Sequence, residues 1–284
     1  MTQTIFEAYN NCKLKLNTAG IEDYVFESKQ IIKRVTGYTN IQILNKFAER
    51  LTEFQQKSLD SIIEKRVMRY PLQYIFGEWE FYGRKFLVGN GVLIPRSDTE
   101  TAIDVCLELL KDNESPDILD LCAGSGCIGI TLALEKNKSR VDLVEKYCEA
   151  VNYIEKNIKL NKAHNANVFS GDIYEGIMSD KSYDIIVSNP PYVSADDMAA
   201  LSQEVKYEPD TALYGGEDGL MFYRAITDIY KNSLKTNGKI VFEVGIGQAD
   251  SVALILKENG FCDIGIKKDL NEIERVVFGT VKQL

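Results

Sequence analysis

The chain has 284 residues, holds 33 Lys+Arg against 42 Asp+Glu for a net charge of −9, and contains a single histidine, His164. One imidazole cannot build a His-ligated zinc site, an HExxH protease helix or a two-histidine relay. Its surroundings, Asn161-Lys162-Ala163-His164-Asn165-Ala166-Asn167, read as a polar surface loop rather than as part of a Ser-His-Asp triad.

The charge is uneven. Residues 1–75 carry 11 Lys+Arg and 8 Asp+Glu, so the remainder carries −12, which suggests two functional parts. In the first part apolar residues recur three and four apart over 21–35, 41–51 and 54–68, as in Leu59, Ile62, Ile63 and Val67, and predict helices. Thr52 followed by Gln55 is a capping-box pattern. The stretch 70–94 is aromatic and glycine-punctuated and reads as a β-hairpin. The expected layout is a helical docking domain over 1–72, a hairpin linker over 73–95 and a ligand-binding domain over 96–284.

From Ser97 onward strands and helices alternate. Strands are expected at 118–121, 141–144, 168–169, 184–188 and 239–244, with helices at 128–134, 150–160, 220–230 and 249–258. Such alternation means a parallel α/β sheet covered on both faces. Two last strands, near 263–267 and 275–281, have a short connection and should pair antiparallel.

The longest charge-free apolar stretch, 121–134, has 14 residues, too few to span a bilayer. Residues 1–7 lack the basic start and apolar core of a signal peptide. The six cysteines form no CxxC pair and read as reduced thiols, so a cytoplasmic protein without membrane attachment is expected.

The run Leu119-Asp120-Leu121-Cys122-Ala123-Gly124-Ser125-Gly126-Cys127-Ile128-Gly129 leaves a strand and enters a helix, and its three glycines satisfy GxGxxG. Glu145 ends the next strand, where a carboxylate can accept from both hydroxyls of a ribose. An adenosine-containing ligand follows from this pattern, but NAD and S-adenosylmethionine remain open. Three features favour the second. Asp120, just before the turn, suits a cationic methionine moiety better than a pyrophosphate. Gly171-Asp172 closes the third strand, where a second acid can reach the adenine amino group. The fourth strand ends in a tetrad with no role in hydride transfer.

That tetrad is Asn189-Pro190-Pro191-Tyr192, placed at the carboxyl edge of the sheet where open α/β folds bind ligands. Consecutive prolines lack N–H groups and present only carbonyl acceptors. The Asn189 side chain adds another acceptor and Tyr192 a flat face. Such an array suits a planar –NH2 group, whose lone pair is delocalised and whose methylation depends on alignment rather than on a base.

With these motifs in place, the chain resembles the release-factor glutamine methyltransferases (the HemK-like family) nearly end to end. The likeness runs through Pro71-Leu72-Gln73-Tyr74-Ile75-Phe76-Gly77-Glu78, Val92-Leu93-Ile94-Pro95-Arg96 with Thr99-Glu100, and Tyr207-Glu208-Pro209-Asp210-Thr211-Ala212-Leu213. It continues in Glu243-Val244-Gly245-Ile246-Gly247-Gln248 and Arg275-Val276-Val277. The resemblance implies the S-adenosylmethionine-dependent methyltransferase fold, a seven-stranded mostly parallel sheet with its last strand antiparallel, preceded by a small helical domain and a β-hairpin. It implies N5-methylation of the glutamine in the Gly-Gly-Gln loop of class I peptide chain release factors. Asn189, Pro190, Pro191 and Tyr192 would hold the glutamine. Cys122, Ala123, Gly124, Ser125, Gly126, Glu145, Asp172, Ile173 and Asn189 would line the cofactor. Cys122 stands where the family usually has a glycine, Glu145 replaces the commoner Asp, and Ser97-Asp98 replaces Pro-Glu. A glutamine methyltransferase of a ribosomal protein and an adenine-N6 nucleic-acid methyltransferase are the alternatives. The −12 of the later part argues against stable nucleic-acid binding.

Overall fold

The structure, a computed structural model, describes residues 2–176 and 181–282. Met1, Gln283 and Leu284, the ends of the expected domains, lie outside the described residues. The chain forms two compact units: residues up to Gly77 together with Ser202–Tyr207, and Glu78–Leu201 together with Glu208 onward.

The first unit contains α1 (Ile5–Thr18), α2 (Tyr24–Thr36), α3 (Asn40–Asn45), α4 (Glu53–Val67) and α5 (Leu72–Phe76). Capping boxes start α1, α3 and α4 at Thr4, Thr39 and Thr52, each with its Glu or Gln three residues on. Helix α1 had no counterpart in the periodicity reading. Its buried face of Ile5, Ala8, Cys12 and Leu16 contains two small residues, which weakens the apolar stripe. Helix α3 stops short of the expected 51 because the segment after it pairs with the chain start: Ile5 N donates to Glu49 O and Leu51 N to Gln3 O, both at 2.9 Å. The expected hairpin over 70–94 likewise begins with a helical turn. Pro71 sets φ at −56° before α5, and Gly77 at φ 72° ends it.

A buried guanidinium organises this unit. Arg66, on α4, forks onto Glu27 of α2 with contacts of 2.7 and 3.0 Å. It also reaches Glu204 at 3.2 Å, which receives Arg69 at 2.9 Å. Thus 202–207 belongs to the helical unit through charge as well as packing. Arg66→Ala strands Glu27 beside the core and is expected to lower unfolding free energy by roughly 3–5 kcal/mol, read as a shift in the denaturant midpoint.

The second unit opens with a hairpin of β1 (Glu78–Phe81) and β2 (Arg84–Leu87), turned by Tyr82 and Gly83 at φ 51° and 69°. Then follow α6 (Glu100–Leu109), β3 (Asp117–Leu121), α7 (Cys127–Glu135), β4 (Arg140–Glu145), α8 (Cys148–Asn161), β5 (Ala166–Ser170) and β6 (Tyr183–Ser188). The chain continues through α9 (Ala195–Met198), α10 (Met221–Tyr230), β7 (Leu234–Glu243), α11 (Ala249–Glu258), β8 (Phe261–Lys268) and β9 (Glu274–Val281). The seven-stranded sheet runs β5-β4-β3-β6-β7-β9-β8, with β9 antiparallel to both neighbours and the other neighbouring pairs parallel. This is the methyltransferase architecture expected above.

Alternate residues of the central strands enter two cores. Ile118, Ile185, Val187 and Val241 pack with α6, α7 and α8, while Leu119, Leu121, Ile186, Ile240 and Phe242 pack with α10 and α11. Burial on both faces explains why these strands read as unbroken apolar runs. No helix among the described residues is long and apolar enough to cross a membrane.

Candidate active site

Strand order reverses between β3 and β6, so the loops leaving their carboxyl ends diverge and open a crevice. A cavity of about 980 Å³, including its open mouth, lies there and is walled by the loops after β3, β4, β5 and β6. Cys122, Ala123, Gly124, Ser125, Glu145, Asp172, Ile173, Asn189 and Pro191 line it. Gly126, Pro190 and Tyr192 are not on its wall.

The glycines divide the work of the turn. A side chain at Gly124, φ 56°, would meet nothing within 4 Å and project into open space. Gly126 starts α7 in the left-handed region. Gly129 lets the helix lie on the sheet, since a Cβ there would come within 2.8 Å of Leu143 and 2.9 Å of Asp120 Oδ2. Cys122 has φ 58°, the left-handed conformation that favours glycine. Buried Asn157 on α8 braces the loop: it donates to Ser125 O at 2.9 Å and exchanges hydrogen bonds with the Leu87 backbone at 2.7 and 3.1 Å.

Glu145 is 7% exposed, and its carboxylate accepts three backbone N–H groups: Gly124 at 2.9 Å, Lys146 at 2.8 Å and Tyr147 at 3.0 Å. Burial nevertheless holds its carboxyl above the ordinary range. The acid therefore shapes the loop as well as facing the cavity.

Asp120 corrects an expectation. It does not line the cavity; fully buried beneath the loop, its Oδ2 accepts from Gly129 N at 2.8 Å, and Oδ1 has no hydrogen-bond partner among the described residues. The strand's alternation turns it toward α7. Burial pushes its carboxyl up to about 7, the Gly129 N–H opposing and Glu145 adding to the rise. The folded protein thus holds this proton more tightly than the unfolded chain. The associated stability is fully present below the ordinary carboxylate range and is lost as pH rises through about 7. Asp120→Asn keeps an acceptor for Gly129 without the charge. Relative to the variant, the parent protein should lose up to about 1.4 kcal/mol per pH unit across that window, seen in denaturation midpoints at pH 5.5 and 7.5. Equal pH slopes would refute the assignment.

Asp172 lines the cavity with both oxygens engaged, Oδ2 to Lys146 Nζ at 2.7 Å and Oδ1 to Tyr174 N at 3.1 Å. The Lys146 hydrogen bond is the main reason its carboxyl sits below the ordinary range. Lys146 and Arg96, the cations on the wall, are both paired, the second with Glu208.

Of the tetrad, Asn189 is the polar group on the wall. Its Nδ2 donates to Thr99 Oγ1 at 3.4 Å, and its Oδ1 is buried without a partner among the described residues. Tyr192 turns toward the loop after β7, where its ring lies beside Gly245 and its carbonyl accepts from Gln248 Nε2 at 2.9 Å. Gly215 and Gly219 permit close approach to the tetrad backbone, since a Cβ at either would sit within 2.7 Å of it.

Residue-by-residue reading missed Arg96, Thr99, Lys146 and the wall of Pro209, Thr211 and Ala212. The signal lay in the two flanking motifs. Glu208, 4% exposed, accepts from Ile94 N at 2.9 Å and pairs with Arg96, latching 207–213 to 92–99. His164 lies in an exposed turn, as expected.

Residues 7–77 match the family model described as PrmC N-terminal domain, and residues 90–215 the one described as Methyltransferase small domain. The chain is 40% identical over 254 residues to the release factor glutamine methyltransferase of Thermodesulfovibrio yellowstonii, covering 88% of this chain and 90% of that one. It is 41% identical over 226 residues to the protein of the same name in Fusobacterium nucleatum, spanning 79% of this chain but 64% of that protein's length. Among solved structures, the hMettl16 catalytic domain in complex with MAT2A 3'UTR hairpin 6 is similar in fold, with a TM-score of 0.57 at 14% identity over 79% of this chain and 92% of that one.

Proposed function

The chain belongs to the release factor glutamine methyltransferase family, and from that premise we propose that it methylates the side-chain amide nitrogen of the Gly-Gly-Gln glutamine in class I peptide chain release factors. The observation that carries this reading is the unpartnered, buried Oδ1 of Asn189 on the wall of the crevice. A buried acceptor left empty favours a ligand that brings an N–H.

The residues present fit S-adenosylmethionine better than a dinucleotide. Both wall cations are already paired and the Gly124 N–H is committed to Glu145, so a diphosphate finds little to hold it. Open space at Gly124 and the carboxylates of Glu145 and Asp172 suit an adenosine carrying a positive centre. Cys122, Ala123, Ser125 and Ile173 would complete its seat, with Gly126 setting the turn behind them. When bound, the cofactor supplies a methyl group on a sulfonium sulfur.

The protein's part is alignment. Asn189 Oδ1 would take an amide hydrogen of the glutamine and Pro191, on the same wall, would pack against its plane, while Pro190 and Tyr192 hold the tetrad backbone in place behind them. Fixing a weak nucleophile in line can account for roughly 7–11 kcal/mol of barrier. The latch of Glu208 onto Ile94 and Arg96 steadies the wall formed by Pro95, Arg96, Thr99, Pro209 and Thr211. The helical unit would dock the release factor, in the cytoplasm and without membrane or stable nucleic-acid contact. The relatives' name and the N-terminal match favour this substrate over a ribosomal protein or an adenine base.

Mass spectrometry of the release-factor loop peptide after incubation with enzyme and S-adenosylmethionine tests the reading. A gain of one methyl group on the glutamine is expected. Methyl label found on nucleic acid alone, or on ribosomal protein alone, would overturn it.

A further inference from the structure

The tetrad that presents Asn189 has few means of holding itself in place. Pro190 and Pro191 have no N–H to give, so the backbone after Asn189 depends on anchors at its exit. Two of these are main-chain bonds: Val193 N donates to Leu213 O and Gly215 N to Val193 O, both at 2.8 Å. The third comes from a side chain two loops away. Gln248 Nε2 donates to the Tyr192 carbonyl at 2.9 Å and lies 3.5 Å from Gly219 O, while its Oε1 accepts from Gly245 N at 3.0 Å. A backbone N–H only donates and a carbonyl only accepts, so the Gln248 amide fits this place in one orientation. Its root is rigid too. Gln248 N donates to Gly245 O at 3.1 Å, and its own carbonyl accepts from Val252 N of α11 at 3.0 Å.

We propose that Gln248 is the positioning residue of the tetrad: held by Gly245, it grips the Tyr192 carbonyl and thereby fixes the backbone that carries Asn189 and Pro191 into the crevice. The consequence for methyl transfer rests on the function proposed above; the anchoring itself does not.

One planar group thus joins the loop after β6, the segment that ends at Gly219 and the loop after β7. The glycines leave it room. A Cβ at Gly219 would press on Tyr192 O and come within 2.5 Å of Gln248 Nε2, and one at Gly245 would come within 2.8 Å of Gln248 Oε1. Neither Gln248 nor Tyr192 is on the cavity wall, so Gln248 acts on the chemistry only through the backbone it holds. The two ends of its amide also differ in kind. The oxygen end roots it in its own loop, and the –NH2 end does the gripping, so a side chain of the same shape without a donor keeps the root and loses the grip.

Two readouts on the whole chain test this. In methyl transfer to release factor, Gln248→Met, which fills the space without a donor, should lower kcat roughly 10- to 100-fold, as a small misplacement of a reacting group does. The dissociation constant of S-adenosylmethionine should stay within about twofold of the parent's. Gln248→Glu keeps an acceptor for Gly245 but, as a carboxylate, faces the Tyr192 carbonyl without a proton. As a carboxylic acid it can donate to that carbonyl again. Its kcat relative to the parent should therefore rise as pH falls from 8 to 5.5, while the same ratio for Gln248→Met stays flat. Asp120 and Glu243, with carboxyls pushed up to about 7, are present in parent and variants alike, which is why the ratio is read. Deuterium exchange at the backbone amides of Val193 and Gly215 should quicken roughly tenfold in Gln248→Met. Gln248→Met turning over like the parent, cofactor binding lost with it, or a pH-independent ratio for Gln248→Glu would overturn the proposal. Should the parent protein be inactive on release factor, exchange decides. Faster exchange in Gln248→Met, slowed again in Gln248→Glu at pH 5.5, would sink the proposed substrate and keep the anchor, and unchanged exchange would overturn the anchor.

Discussion

Replacing Asn189 by alanine is expected to reduce methyl transfer by roughly 10²–10³, the effect of deleting one preorganised polar group at a reacting centre. The Asn189 amide is fixed on one side by Thr99, and its unpartnered oxygen loses nothing by meeting a substrate N–H. No reorganisation is then needed at the moment of reaction. The adenosine end of the cavity is built by other loops, so S-adenosylmethionine should bind the variant within about twofold of the parent, a shift of under half a kcal/mol. A calorimetric titration that shows cofactor binding abolished would reassign Asn189 to the cofactor pocket.

Glu145→Ala is expected to act on the other half of the site. Its carboxylate gathers the N–H groups of Gly124, Lys146 and Tyr147, from two separate loops, around one buried acid. Orphaning a buried donor costs about 1–3 kcal/mol. Some of the three will find water once the side chain is gone, so a net loss of about 3 kcal/mol in loop order is reasonable, or roughly a hundredfold in cofactor affinity. The charge-assisted contact proposed with the ribose adds to this. Calorimetry should therefore show much weaker S-adenosylmethionine binding and a lower melting temperature together. An unchanged dissociation constant would remove Glu145 from the cofactor's seat.

Much of the fold was legible because its signals are local. The helix Ala249–Glu258 ends where its apolar period ends, and the turn from β3 into α7 is marked by three glycines. What escaped depended on contacts distant in sequence. Thr99 meets Asn189 across 90 residues and Glu208 meets Ile94 across 114, and no spacing rule connects either pair. Asp120 misled for a related reason. A position next to a ligand-binding turn does not say which way its side chain points, and here the helix above claims it through Gly129. Tyr192 likewise follows the prolines into the backbone of the next loop instead of the cavity wall. The flanking motifs succeeded where single residues failed, because 92–99 and 207–213 are held against one another by the Glu208 latch.

The membership of Ser202–Tyr207 in the helical unit sets an order of events on the ribosome. Arg66 and Arg69 leave the exit tunnel well before their shared partner Glu204, which lies 138 and 135 residues further on. At 5–20 residues per second that interval is on the order of ten seconds. During it Arg66 has Glu27 alone, and the unit is a nascent bundle with one guanidinium arm unclaimed. Its final consolidation must wait until β3 through β6 have been synthesised. Completion of the helical unit thereby follows synthesis of the glycine turn, Glu145 and the tetrad, so the first unit to emerge is closed only after more than half of the second has been made.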